Sequence, residues 1–341
     1  RGIEDVYRHE FLSTIGQKTW FSSYLMIAIP MSLHLFATVK NKTIGALAGI
    51  SLFIEVTAAF LSYSDSALLG VAVMLVVMGF MYAGDKEGFE RYLEMIFIVS
   101  LSFFAVILSG PYLYVFDAPV DEAVIMKIVN RPIPFMITSF LCSGISLMLS
   151  LYLRKKRTGF EKQKGLIRTV LILLAVAGTL TVIFVLSGKD VTLFAKGTSS
   201  FTSDSWGNNR GFIWRIAIET FSQGSIKDKL FGVGPDLFYN ASDRFFHDEI
   251  YHVWGVSKLS NAHNEFLNML VTEGILGLVA YAGLFLSSMM TGIRCLKKDT
   301  SLIILVAAVL AYMVHNFFCY QQCISTPLVF IVLGMIVKKD N

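Results

Sequence analysis

Apolar stretches long enough to cross a membrane recur along the chain, and no other feature narrows its fold as much. Crossing about 30 Å of hydrocarbon takes about 20 apolar residues in a helix. Nine stretches can be read: Trp20–Val39, Thr43–Tyr63, Ala67–Ala83, Tyr92–Ser109, Pro134–Leu153, Leu166–Leu186, Phe266–Ser288, Leu302–Phe318 and the short Thr326–Val337. Of 341 residues, 55% are hydrophobic and only 16% charged, and the mean hydropathy is +0.62. Soluble domains run about 45–50% apolar and roughly 25% charged, so a soluble enzyme is excluded, as is a disordered chain. The net charge is only +4, and the 29 Lys and Arg are scattered over many loops. Nucleic acid, which needs a basic stripe, is therefore not an expected partner; membrane lipids are. The expected fold class is an all-α polytopic membrane protein. It has about nine transmembrane helices and one large extracytoplasmic loop containing short amphipathic helices.

Basic residues set the expected orientation. Lys40 and Lys42, Lys86 and Arg91, the block from Arg154 to Arg168, then Arg294, Lys297 and Lys298, and finally Lys338 and Lys339 all fall on one side. The loops Ser62–Ser66 and Cys319–Ser325 on the other side have none. The basic side, with the C-terminus, is read as cytoplasmic. The chain starts at Arg1 on the outer side, which reads as a fragment lacking upstream helices. Three parts follow: 1–186 with about six spans, the outer loop 187–265, and 266–341 with about three spans. Cys319 and Cys323 flank one outer loop, as two buried thiols or as a disulfide. Cysteine spacing offers no CxxC metal pattern.

Ser187–Glu265 is the natural seat of function: 79 residues with 13 aromatics, 8 Lys or Arg and 9 Asp or Glu. So long a connection is functional or disordered, and this one is too aromatic for disorder. After Asn208-Asn209-Arg210, apolar Phe212, Ile213, Ile216 and Ala217 recur at helical spacing, with Asn208 or Asn209 as N-cap. Arg210 then opens a short amphipathic helix, where the macrodipole favours an anion. It reads either as a phosphate clamp, through its planar fork, or as an interfacial arginine reaching lipid headgroups. Phe231-Gly-Val-Gly-Pro-Asp-Leu-Phe238 predicts a sharp turn and another helix. Within His247-Asp-Glu-Ile-Tyr-His252 the histidines are five apart and diverge on a helix, so no metal site is expected.

Asn261-Ala-His-Asn-Glu265 closes the loop and opens the seventh span, with Ser260 or Asn261 as cap. His263 would lie in the first helical turn, where the dipole keeps imidazole neutral. It is either a general base or a histidine hydrogen-bonded at an interface. Glu273, about 15 Å further down the same helix, should face protein or water, and Gly274 and Gly277 permit close packing. Glu55 is a more isolated case. His34 and His315 read as satisfied core histidines.

Taken in order, Arg210-x-x-x-Trp214, Phe231-Gly-Val-Gly-Pro-Asp-x-Phe238, Ala262-His-Asn-Glu-Phe-Leu267 and Thr272-Glu-Gly-Ile-Leu-Gly277 resemble the O-antigen ligase and O-antigen polymerase family of bacterial membrane glycosyltransferases. Ser13-Thr-Ile-Gly16 resembles the family's segment before a membrane helix. The resemblance implies transfer of a glycan from undecaprenyl diphosphate to a glycan or lipid-linked acceptor at the outer face, in O-antigen, capsule or exopolysaccharide assembly. It implies no metal and no cofactor. His263 becomes the catalytic histidine and Arg210 a diphosphate contact, with Trp214 beneath Arg210 or a sugar. Gly232, Gly234, Asp236, Asn264, Glu265 and Glu273 become supports of the site. Where the family often has an arginine after a serine, this chain has Asp65, so the second phosphate contact falls to Arg215 or Arg131. Polymerase and ligase are not separated by these motifs. A flippase-like transporter of lipid-linked glycans is the alternative, though internal repeats of the kind transporters show are not visible.

Overall fold

The structure is a computed structural model that describes residues 13–62, 64–84, 86–113, 132–155, 165, 169, 204, 206–255, 258–296, 299 and 301–338. Every regular element among them is helical. The first four are α1 (Lys18–Thr38), α2 (Lys42–Leu61), α3 (Asp65–Tyr82) and α4 (Lys86–Leu113). After them come α5 (Pro132–Lys155), α6 (Trp206–Gln223), α7 (Ile226–Phe231) and α8 (Phe238–Trp254). The last four are α9 (Glu265–Thr272), α10 (Gly274–Cys295), α11 (Leu302–Asn316) and α12 (Thr326–Lys338).

Polar caps open the first spans. Gln17 accepts from Trp20 N at 2.8 Å ahead of α1, and Asn41 accepts from Thr43 N and Ile44 N ahead of α2. Each satisfies N–H groups that a helix start leaves without partners. Beyond the caps the spans are apolar on most faces. One core joins α1 to α4 with α11, through Met26, Leu52, Val56, Met74, Met95 and Ala307. A second joins α10, α11 and α12 around Phe285 and Tyr312. Gly292 lets α10 approach α11 so closely that a Cβ there would meet Val306 Cγ2 at 2.5 Å, the small-residue contact that membrane helices use. At the opposite end from the large loop, Arg154 of α5 pairs with Glu90 and Glu94 of α4.

Among the described residues, six helices are long and apolar enough to cross a membrane: α1, α2, α3, Lys86–Ser109 of α4, Phe135–Lys155 of α5, and α10. The nine expected spans are not all of this kind. Leu166–Leu186 lies outside the described residues apart from Thr169. Two others are shorter than a bilayer: α11 has 15 residues and α12 has 13, about 22 and 20 Å at 1.5 Å per residue. The seventh is broken. Where one continuous helix from Phe266 was expected, α9 ends at Thr272, Glu273 serves as its C-cap, and Gly274 at φ 71° starts α10. Glu273 therefore marks a corner rather than a depth within one helix.

The described part of the large loop folds on a core of its own. Phe212, Trp214 and Ile216 of α6, Phe238 and Phe246 of α8, Leu259, Ala262 and Val271 form one buried cluster. Residues 187–203 of that loop lie outside the described residues.

Candidate active site

The segment carrying His263 is shaped by three asparagines. Asn264 precedes α9 and accepts from Leu267 N at 3.1 Å, so it is the N-cap. Asn261 Oδ1 accepts from His263 N at 3.0 Å, and Asn268 Oδ1 accepts from Ala262 N at 3.3 Å. His263 itself has φ 48°, a left-handed conformation uncommon outside glycine and held here by its neighbours. It thus sits before the cap, not in the first helical turn as the sequence predicts, and neither Ser260 nor Asn261 caps the helix. Asx chemistry wins because an asparagine directly before Glu265 captures the first N–H groups one turn later than expected.

Around the imidazole gather residues from distant parts of the chain. The ring meets Tyr320 edge-on, with centroids 5.5 Å apart. Tyr320 in turn accepts from Trp20 Nε1 at 3.3 Å. Burial foremost, and with it the charge of Arg210, lowers the His263 pKa to about 4. The neutral ring expected from the helix dipole is therefore secured by desolvation and a neighbouring guanidinium.

Arg210 is part-buried. Its Nη1 donates to Gly207 O at 3.1 Å, while its Nε is buried with no partner. Burial lowers its pKa, opposed in part by the charge of Asp65, yet an arginine keeps its proton. The helix that carries it starts at Trp206, ahead of both asparagines, so neither is the N-cap expected. Gly207 at φ 59° and Asn209 at φ 65° interrupt regular geometry just before the guanidinium. Asp65 opens α3 and acts on Arg210 as a counter-charge.

Arg215 is engaged elsewhere. Its guanidinium donates to Asp204 at 2.9 and 3.1 Å and to Glu249 at 3.0 Å, and it pairs with Glu219. Those carboxylates raise its pKa, the bond to Asp204 foremost. It ties α6 to α8 over the ring of Phe212. Arg131 lies outside the described residues. Trp214 does not lie open to a sugar: it is buried, edge-on to Phe317 and tilted against Phe318. This contact docks α6 on the turn after α11.

The Gly-Val-Gly turn has a backbone role. Val233 N donates to Val271 O at 3.1 Å and Gly234 N to Thr272 O at 2.8 Å. A Cβ on Gly232 would lie 2.1 Å from Thr272 O, and one on Gly274 would lie 2.5 Å from Leu230 C. Both glycines have positive φ; only residues without side chains let these backbones touch. Asp236, also at positive φ, is exposed at the end of this turn. Gly277 lies over Glu273, where a Cβ would meet the Glu273 Cβ at 2.3 Å.

Glu265, from the Ala262–Leu267 motif, holds a participant that carries no motif. Glu265 is buried, and its Oε2 accepts from Gln321 N at 2.7 Å. That bond holds the turn bearing Tyr320. His315, read as a core histidine, is fully buried with Nε2 2.8 Å from Ser22 Oγ, which also donates to Ser64 Oγ. Cys319 and Cys323 are both free thiols, the first buried and the second exposed. On α8, His247 Nδ1 is 2.9 Å from Asp243 Oδ1 and its ring stacks with Tyr251. Among the described residues no group of three metal-ligating side chains comes together.

Residues 136–282 match the family model described as O-antigen ligase. Comparison with curated proteins gives no match. The matched stretch runs from α5 through the buried cluster of the large loop into α10 and contains Arg210, the Gly-Val-Gly turn, His263 and the break at Glu273. The chain is a multi-pass membrane protein whose residues 136–282 are similar to the O-antigen ligase family.

Proposed function

We propose that this protein transfers a glycan from undecaprenyl diphosphate to an acceptor hydroxyl at the outer face of the bacterial cytoplasmic membrane, as polymerase or ligase in surface-polysaccharide assembly. One observation carries the reading: a neutral, part-buried imidazole lies within the field of a guanidinium whose Nε lacks a partner. Arg210 takes the diphosphate through its planar fork. His263 receives the acceptor proton as the new glycosidic C–O bond forms and the bond from the anomeric carbon to the diphosphate breaks. Undecaprenyl diphosphate leaves, its charge held by Arg210. No metal takes part, and the large loop and the C-terminus lie on opposite sides of the membrane, the C-terminus cytoplasmic.

The electrostatics support this division of labour. An imidazole with a pKa near 4 is a weak base, and part of that weakness comes from Arg210. A bound diphosphate offsets the guanidinium charge, so the ring gains proton affinity once donor is in place. Asn264 and Glu265 hold the histidine loop and its facing turn, while Gly232, Gly234 and Glu273 hold the corner beside them. Asp236 and Trp214 act through the packing of the outer core, and Arg215 serves as a strut rather than a phosphate contact.

The test is transfer in proteoliposomes supplied with a lipid-linked oligosaccharide and acceptor. His263→Gln keeps a hydrogen-bonding group but cannot take the proton, and general-base help is worth about 10²–10⁴-fold. A loss in that range for His263→Gln, with donor binding retained, is expected. Wild-type turnover in His263→Gln, or in Arg210→Lys, would remove the corresponding role.

A further inference from the structure

A six-residue helix has little stability alone, yet α7 is built to persist. Ser225 and Asp228 form a reciprocal capping box: Asp228 N donates to Ser225 Oγ, and Ser225 N donates to Asp228 Oδ2, both at 3.1 Å. The helix so stabilised turns its apolar residues outward. Ile226 is 80% exposed, Phe231 62%, Leu230 39%, and Leu237, just beyond the glycine turn, 42%. Scattered apolar residues on a surface need no explanation, but four within twelve positions form a patch.

Its place in the fold says what covers it. Through Gly232 and Gly274 the end of α7 touches the first residue of α10 backbone to backbone, and α10 is a membrane-crossing helix. The first turns of α10 expose Ile275, Leu276 and Val279, a face that hydrocarbon covers in a spanning helix. The α7 patch therefore adjoins a lipid-covered surface at the level where the span leaves the bilayer. Lys227 and Lys229 interrupt the apolar residues at that level, with Lys227 exposed. Apolar side chains with flanking lysines are the composition of a helix lying in the interface, and lysine is attracted to anionic headgroups.

We propose that α7 is an interfacial anchor seated in the leaflet on the large-loop side, with the bilayer itself as its occupant. Ile226, Leu230 and Phe231 enter the upper acyl region, and Lys227 and Lys229 lie on anionic headgroup phosphates. The anchor fixes the height of the Gly-Val-Gly turn above the membrane, and through Val271 and Thr272 the height of α9 and the histidine loop.

Site-directed spin labels test this on the full chain in vesicles containing anionic phospholipid, with the four native cysteines replaced by serine. Labels on Ile226→Cys and Phe231→Cys should collide with dissolved oxygen and lose collision with an aqueous nickel chelate; a label on Asp236→Cys should do the reverse. Chelate access at 226 and 231 equal to that at 236 would overturn the anchor. Phe231→Trp, with all cysteines kept, gives an independent readout: emission gained over the parent should be blue-shifted and quenched by lipids brominated high on the acyl chain. Emission characteristic of water with no quenching would overturn it as well. Lys227→Glu combined with Lys229→Glu should lose protection from the chelate in anionic vesicles; unchanged protection there would remove the headgroup contacts. None of these readouts measures transfer, so they stand or fall apart from the proposed reaction.

Discussion

The rings of His263 and Tyr320 meet at 88°, so the tyrosine presents its face or edge to the imidazole without stacking on it. Tyr320 is held there by Trp20 Nε1 from the start of α1. The pair closes one side of the imidazole to water, and burial is the first cause of its low pKa.

Removing that cover should be visible without any substrate. Tyr320→Ala is expected to raise the His263 pKa from about 4 toward the ordinary value of 6.5, whereas Tyr320→Phe, which keeps the ring, should leave it low. The pH dependence of diethyl pyrocarbonate modification at His263 reads the change. Arg210→Gln should also raise it, by removing the like charge.

Activity should respond to pH in two separate ways. Acid limbs in kcat/KM report the free enzyme, and those in kcat the bound complex. With the free imidazole deprotonated above about 4, kcat/KM should stay flat from pH 8 down to about 5 and fall only below it. With diphosphate beside Arg210, the acid limb of kcat should lie at higher pH. Coincident limbs would show that donor charge does not reach the imidazole.

Glu265 gives a stability prediction with a defined sign. Burial raises its pKa from 4.5 to about 7, although its bond from Gln321 N works the other way. A carboxyl with a raised folded pKa is stabilising while protonated, and stability falls as pH rises from about 4.5 to about 7. Glu265→Gln keeps an oxygen for Gln321 N and removes the titration. Its thermal midpoint should therefore decline less than that of the parent between pH 5 and pH 8. Glu265→Ala leaves the Gln321 N–H without its partner, a loss of about 1–3 kcal/mol for a buried donor. It should also reduce kcat by loosening the turn that carries Tyr320.

The glycine corner admits no side chain. Gly232→Ala puts a Cβ 2.1 Å from Thr272 O at φ 73°, so the backbones of α7 and α9 must part. The positive φ alone costs about 1–3 kcal/mol, and the clash adds to it. The variant should melt at lower temperature, by differential scanning fluorimetry in detergent, and lose transfer. Gly283→Ala, with nothing within 4 Å of its new Cβ, should do neither.

Much of this was open to a reader of the sequence, and the misses have physical reasons. Long apolar runs are insensitive to context, so α1 to α5 stand within a few residues of the predicted stretches. The break at Glu273 escaped because Thr272-Glu-Gly274 reads equally well as a glycine tolerated inside a membrane helix; only the approach of Leu230 and Gly232 demands the positive φ. His263 and Arg210 could be picked by residue type and motif, but what tunes them could not. Tyr320 and Gln321 share the turn after α11, Trp20 lies at the start of α1 and Asp65 at the start of α3, and only packing brings these three places together. Arg215 and Trp214 show the converse: residue types suited to phosphate and sugar are spent on holding α6 to α8 and to the turn after α11.

The contact at Gly232 and Gly274 has a mechanical meaning. Two backbones that touch with no side chain between them have little room to slide, so the core of the large loop cannot bob on α10 like a float on a tether. A span that shifts in the bilayer carries the histidine loop with it. The proposed α7 anchor opposes that shift, and so keeps the imidazole at one distance from the headgroup plane as the membrane thickens or thins.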